Sequence, residues 1–142
     1  MIAPAQRTLP NFRLHEHTKL VTVEGARAAL NVDAQTVRDM IDSGEIAWAF
    51  NIALGERIRE ERILVECFGG RPFETLDQVL DHLCPLVRRS IRAVEVEKLL
   101  VCSRPLILDL HRAGELQGIV NGHTRHIEMA SLREFLKRRR IV

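Results

Sequence analysis

The stretch Val96–Leu116, VEKLLVCSRPLILDLHRAGEL, leaves the chain few choices of fold. Apolar residues recur at helical spacing on either side of a break, so one helix ends near Leu100 and another begins just after Cys102. Ser103 is a good N-cap, Pro105 falls in the first turn, and Gly114 stands where a C-cap glycine belongs. Leu99, Leu100, Ile107 and Leu110 supply the apolar faces that lock the two helices together. A short helix, a tight break at Val101-Cys102 and a capped second helix are the layout of a helix-turn-helix.

The same layout occurs earlier. Val21–Ile46 aligns with Ile91–Leu116 at a constant offset, and the matches fall at caps, turns and core positions: Leu30 with Leu100, Asp33 with Ser103, Val37 with Ile107, Met40 with Leu110, Gly44 with Gly114. Thr22 caps VEGARAAL, with Val23, Ala26, Ala29 and Leu30 inward, and Asn31-Val32 makes the turn. Asp33 caps AQTVRDMIDSG, with Val37, Met40 and Ile41 on its buried face. Two copies are too few for a solenoid, so the expectation is two domains, 21–86 and 87–142. An arm, 1–20, carrying Pro4 and Pro10, precedes them, and the linker falls around Pro85–Ser90.

Hairpin material follows each Gly-Glu. Gln117–Val120 and Arg125–Glu128 flank Asn121-Gly122, a strong turn signal, and read as a two-stranded wing. In the first copy AWAFNI is β-rich and ALGE is the expected turn. The segment RIREERILVECF admits a strand with Ile63 and Val65 inward, or a helix stopped at Gly69-Gly70. A strand is preferred, because helix Glu74–Leu83 then matches the closing helix Ser131–Arg138. The fold class expected is mainly α with short β-hairpins (α+β), as two tandem winged helix-turn-helix domains.

Charge separates the halves. Residues 1–68 hold 8 Lys/Arg against 10 Asp/Glu, and residues 69–142 hold 13 against 9, with the excess at Lys137–Arg140. That asymmetry points to a polyanion or to a solvated basic tail. No run of about 18 apolar residues exists to span a membrane, and the N-terminus lacks the apolar segment of a secretory signal. Cys67, Cys84 and Cys102, odd in number and far apart, favour a reduced, cytoplasmic protein. His15-x-His17 and His123-x-x-His126 lack further metal ligands at a known spacing and read as surface histidines. Gly69-Gly70 lacks a following Lys-Ser/Thr, and no Ser/His/Asp set stands out, so neither an enzyme nor a cofactor is expected.

LLVCSRPLILDLHRAGEL followed by RHIEMASLREFL resembles the excisionase/MerR-like winged helix-turn-helix domains. AALNVDAQTVRDMIDSGEI fits through its helix-turn-helix and departs in its wing; together the copies cover about two thirds of the chain. The resemblance implies a sequence-specific partner of double-stranded DNA, a transcriptional regulator or excisionase-like architectural factor of a bacterium or mobile element, nucleoid-associated in the cytoplasm. Its second helix would enter a major groove and its wing would lie along the backbone. On that basis the contacts are Ser103, Arg104, Leu108, His111 and Arg112 on the helix, with His123, Thr124, Arg125 and His126 on the wing. Lys137 and Arg138 add backbone attraction. The first copy offers Gln35, Arg38, Arg27, Arg57 and Arg59, opposed by Asp33, Asp39 and Asp42, and Asp42 is placed to hold Arg38. Trp48 and Phe50 read as core or interface residues. The competing reading is a protein-interaction adaptor with one or both copies not binding DNA, and a homodimer or a partner such as an integrase or the transcription machinery stays open.

Overall fold

Side-chain caps start the first three helices. The computed structural model describes residues 20–55, 57–66 and 73–141. Strand β1 (Leu20–Thr22) runs straight into helix α1 (Val23–Leu30), because the Thr22 hydroxyl accepts the Gly25 N–H at 3.0 Å. Helix α2 (Ala34–Ser43) begins at Asp33, whose carboxylate accepts the Thr36 N–H at 2.8 Å and hydroxyl at 2.7 Å. Those two bonds hold the Asp33 carboxyl below its ordinary pKa. Strand β2 (Ala49–Asn51), a 3-10 turn (Glu60–Arg62), strand β3 (Ile63–Glu66) and helix α3 (Leu76–Leu83) complete the first half. Thr75 and Gln78 form a reciprocal capping box at the start of α3.

The second half repeats the order: β4 (Ser90–Arg92), α4 (Ala93–Leu99), α5 (Arg104–Arg112), β5 (Gly118–Asn121), β6 (Thr124–Glu128) and α6 (Met129–Arg138). The architecture is mixed α+β, with two small antiparallel sheets of identical strand order, β1-β3-β2 and β4-β6-β5. Val21 lies opposite Val65 as Ile91 lies opposite Ile127. The turns match as well: Asn31 and Val101 have φ of +56° and +48°, and Gly44 and Gly114 have +87° and +80°.

Several details depart from the sequence reading. Each expected hairpin is a three-stranded sheet, since β1 and β4 pair with β3 and β6. The second hairpin turns at Gly122-His123, one residue later than expected, with Gly122 at φ +65° as the first turn residue. Ser103 takes the extended N-cap backbone, yet its hydroxyl makes no cap bond. Ala29 is exposed, α3 starts at Leu76 rather than Glu74, and α6 starts two residues before Ser131. Residues 57–66 take the strand alternative, entered through the 3-10 turn; of the arm 1–20, Leu20 belongs to β1, and residues 1–19 lie outside the described residues, as do 67–72.

Strand β3 is buried on both faces. Ile63 and Val65 join Val23, Ala26, Leu30, Val37 and Met40 in the core under α1 and α2. Leu64, between them, joins Phe50 and Trp48 in a larger cluster. That cluster runs through Val79 and Leu80 of α3 and Leu132, Phe135 and Leu136 of α6 to Ile107 and Leu110 of α5. The main core therefore draws on both halves of the chain. Buried Arg133 ties α6 to α3, donating to Asp81 at 2.9 Å and to the Cys84 carbonyl at 3.3 Å. Beyond α6 the chain returns to the first sheet. The Arg139 carbonyl accepts the Asn51 N–H and the Ile141 N–H donates to the Ala49 carbonyl, both at 2.8 Å, along the edge of β2.

Two stability predictions follow from strained or unpartnered groups. A β-branched residue at φ +48° is unfavourable, and half-exposed Val101 recovers little by burial. Val101→Asn should therefore raise stability by about 1 kcal/mol, with a thermal midpoint about 4 °C higher, and Asn31→Val should lower it comparably. Glu66 is 3% exposed, and neither carboxylate oxygen has a hydrogen-bond partner among the described residues. Desolvation pushes its pKa up to about 10, so the folded protein keeps a proton that the unfolded chain releases near 4.5. Stability should then be highest below pH 4.5 as far as this group is concerned, and fall as pH rises through about 10. Urea denaturation across pH should show that decline flattened in Glu66→Gln.

Candidate nucleic-acid interface

Arg92 and helix α4, helix α5 and the β5–β6 hairpin together line an open cleft. Arg104 and Leu108 from α5 line it together with His123, Thr124 and Arg125 from the hairpin. The two arginines come from distant parts of the sequence and are brought to one site by the sheet. Arg125 donates to Nδ1 of His111 at 2.8 Å. Arginine has no acceptor, so Nδ1 must supply a lone pair and the imidazole carries its proton on Nε2. His111 is thus a positioning partner of Arg125 as well as a surface residue of α5. Sequence reasoning placed both in the set but missed their bond, because a cross-element contact leaves no spacing signal.

The remaining positions on this unit are open. Ser103, Arg104 and Arg112 are exposed on α5, as are His123 and Thr124 at the hairpin tip, while His126 is half-buried on the other side of β6. Arg104 has one acidic neighbour, Glu97, at 3.9 Å, and Arg112 has Asp109 at 3.9 Å. Both distances are too long for a hydrogen bond, and exposed pairs of this kind are worth little. Arg92, Ala93, Val94, Glu97 and Val120 also line the cleft and were not among the sequence-predicted contacts; Glu97 Oε2 is buried without a hydrogen-bond partner among the described residues.

The first unit is arranged differently. Arg38 donates to Glu60 at 2.5 Å and to the Gln35 carbonyl oxygen at 2.9 Å, so its partner is Glu60 rather than Asp42. Gln35 in turn donates to Asp39. Arg27 makes a close pair with Glu24 at 2.7 Å, which lowers the Glu24 pKa and raises that of Arg27. Arg59 lies 4.0 Å from Glu61, and Arg57 is exposed on the loop before it. Arg27 and Arg38 are thus closely matched by an acid of the same unit, whereas Arg57 and Arg59 are not.

The basic C-terminus is largely committed within the molecule. Lys137 lies 3.5 Å from both Asp77 and Glu134. Arg138 donates to the Glu115 carbonyl at 3.1 Å and to its carboxylate at 3.3 Å. Arg139 reaches the Gly55 carbonyl and lies 5.4 Å from the centre of the Phe135 ring. Arg140 covers the ring of buried Trp48 at 4.4 Å. Cys84 and Cys102 are free thiols whose pKa values burial pushes up to about 12 and about 11, so neither is a nucleophile near neutrality. Among the described residues no helix is long and apolar enough to cross a membrane.

Comparisons with family models, with curated proteins and with solved structures give no match. The geometry itself is then the evidence for what this surface meets. Because Trp48 is the only tryptophan, its emission reports the C-terminal contact directly. Arg140→Ala should shift that emission to longer wavelength and lower stability by about 0.5–1 kcal/mol. Lys137→Ala should leave the spectrum unchanged.

Proposed function

We propose that the chain is a sequence-specific double-stranded DNA-binding protein built from two tandem winged helix-turn-helix units. It would act as a transcriptional regulator or as an architectural factor in DNA recombination. The observation that carries this reading is that Arg104 and Arg125 line one open cleft shared by α4, α5 and the hairpin. A helix of this size fits a major groove, and a hairpin beside it reaches the adjoining backbone.

In this reading the second unit does the binding and the first unit supports it. The tight pairs Arg38–Glu60 and Arg27–Glu24 leave α1 and α2 with little net attraction for a polyanion. The same balanced face favours a secondary role for the first unit as a protein-docking module, which fits an adaptor in which only the second copy touches DNA.

Fluorescence anisotropy with the full chain and a selected duplex tests the assignment. Arg104→Ala combined with Arg125→Ala should weaken binding about tenfold or more, as expected for two guanidinium contacts. Affinity should fall by about 0.9 log unit per phosphate contact for each log unit of salt. Arg38→Ala should stay within about twofold of the parent, as exposed paired residues do. Affinity indifferent to salt and to both cleft arginines would remove the proposal.

A further inference from the structure

The cleft combines cations, apolar side chains and one carboxylate, Glu97. Arg92, Arg104 and Arg125 line it beside Val94, Leu108 and Val120. Val94 and Val120 are exposed, and Leu108 is half-buried. Leu108 stands one helical turn beyond Arg104 and one before Arg112, in the middle of the outward face of α5. It is not part of the stripe of Leu106, Ile107 and Leu110 that α5 gives to the core. Apolar side chains left in water between cations disfavour an ordinary solvated surface. They select a ligand that presents an apolar group beside anions.

We infer that this cleft reads thymine: Leu108 receives the C5-methyl group while Arg104 and Arg125 hold the flanking phosphates. The inference rests on the DNA-binding reading and adds to it a base preference and the residues that impose it. Among the four bases, thymine is the one that offers an apolar group in the major groove. The carboxylate of Glu97 lines the same cleft, 3.9 Å from Arg104. It repels a phosphate and so keeps the backbone at the arginines, leaving the apolar surface for the base edge.

The test uses the full chain and a random-sequence duplex pool. Duplexes that the chain enriches are resynthesised with deoxyuridine in place of thymidine, which removes the methyl group and keeps every hydrogen-bonding atom. The parent chain should bind the uracil duplex about fourfold more weakly, the value of one buried methyl group. Leu108→Ala should bind the thymine duplex about fourfold more weakly and no longer separate the two. A thermal midpoint close to the parent's shows that this variant is folded. Equal binding of both duplexes by the parent, or undiminished discrimination by Leu108→Ala, overturns thymine reading while DNA binding stands. If no duplex is enriched, DNA binding itself fails and thymine reading fails with it. Capture of an acidic, leucine-containing peptide in place of any duplex assigns the cleft to a protein partner and likewise overturns the inference.

Discussion

The burial of β3 on both faces is the constraint on which the rest of the molecule depends. A strand covered on one side only can leave polar residues outward; this one carries Ile63, Leu64 and Val65 in succession. Its inner face is filled by the α1–α2 pair. Its outer face, with Phe50 beside it, needs a second layer, and α3, α6 and the core of the second half supply one. Once that layer is in place the two halves cannot be equivalent, although their strand order and turn geometry are the same.

The matching face of the second sheet shows what happens without such a layer. Leu64 and Phe50 of the first sheet correspond in register to His126 and Ile119 of the second, and Leu20 corresponds to Ser90. Ile119 is exposed there, and His126 and Ser90 are half-buried. The cost of the covered arrangement is Glu66, whose counterpart Glu128 is in water. Glu66 keeps its proton because the apolar layer takes it out of water and its oxygens have no hydrogen-bond partner among the described residues. The C-terminal strap adds to the same joint. Residues 139–141 close the free edge of β2 and place Arg140 on Trp48, which makes a run of basic residues part of the packing.

This division of labour supports the functional proposal by subtraction. Arg27 and Arg38 on the first unit and the cations of the C-terminus have acids, carbonyls or aromatic rings close at hand. In the second unit's cleft Arg92 lies 3.6 Å from Glu95 and Arg104 3.9 Å from Glu97, while Arg125 is oriented by His111. Net charge by halves is therefore a poor guide here, and the location of unmatched charge a better one. The cleft owes its shape to α4, α5 and the hairpin, its charge to Arg104 and Arg125, and its apolar lining to side chains that the core did not take up.

By itself the sequence determined the elements whose causes are local. Caps at Thr22 and Asp33, the turns at Asn31 and Gly44, and the apolar stripes of α2 and α5 act within a few residues, so they were legible along the chain, and their recurrence exposed the repeat. Candidate cleft residues were legible for the same reason, as the polar face opposite a helical stripe. Only the tertiary structure decided the rest. Strands β1 and β4 are three residues long and exist because β3 and β6 offer them partners. Arg38 pairs with Glu60 rather than Asp42, Arg125 with His111, and Arg139 and Arg140 with the far sheet, all across separations that no local pattern records. Which face of a strand is buried, and which arginine is left unmatched, are properties of the assembled surface, because both depend on what another segment brings within a few ångströms.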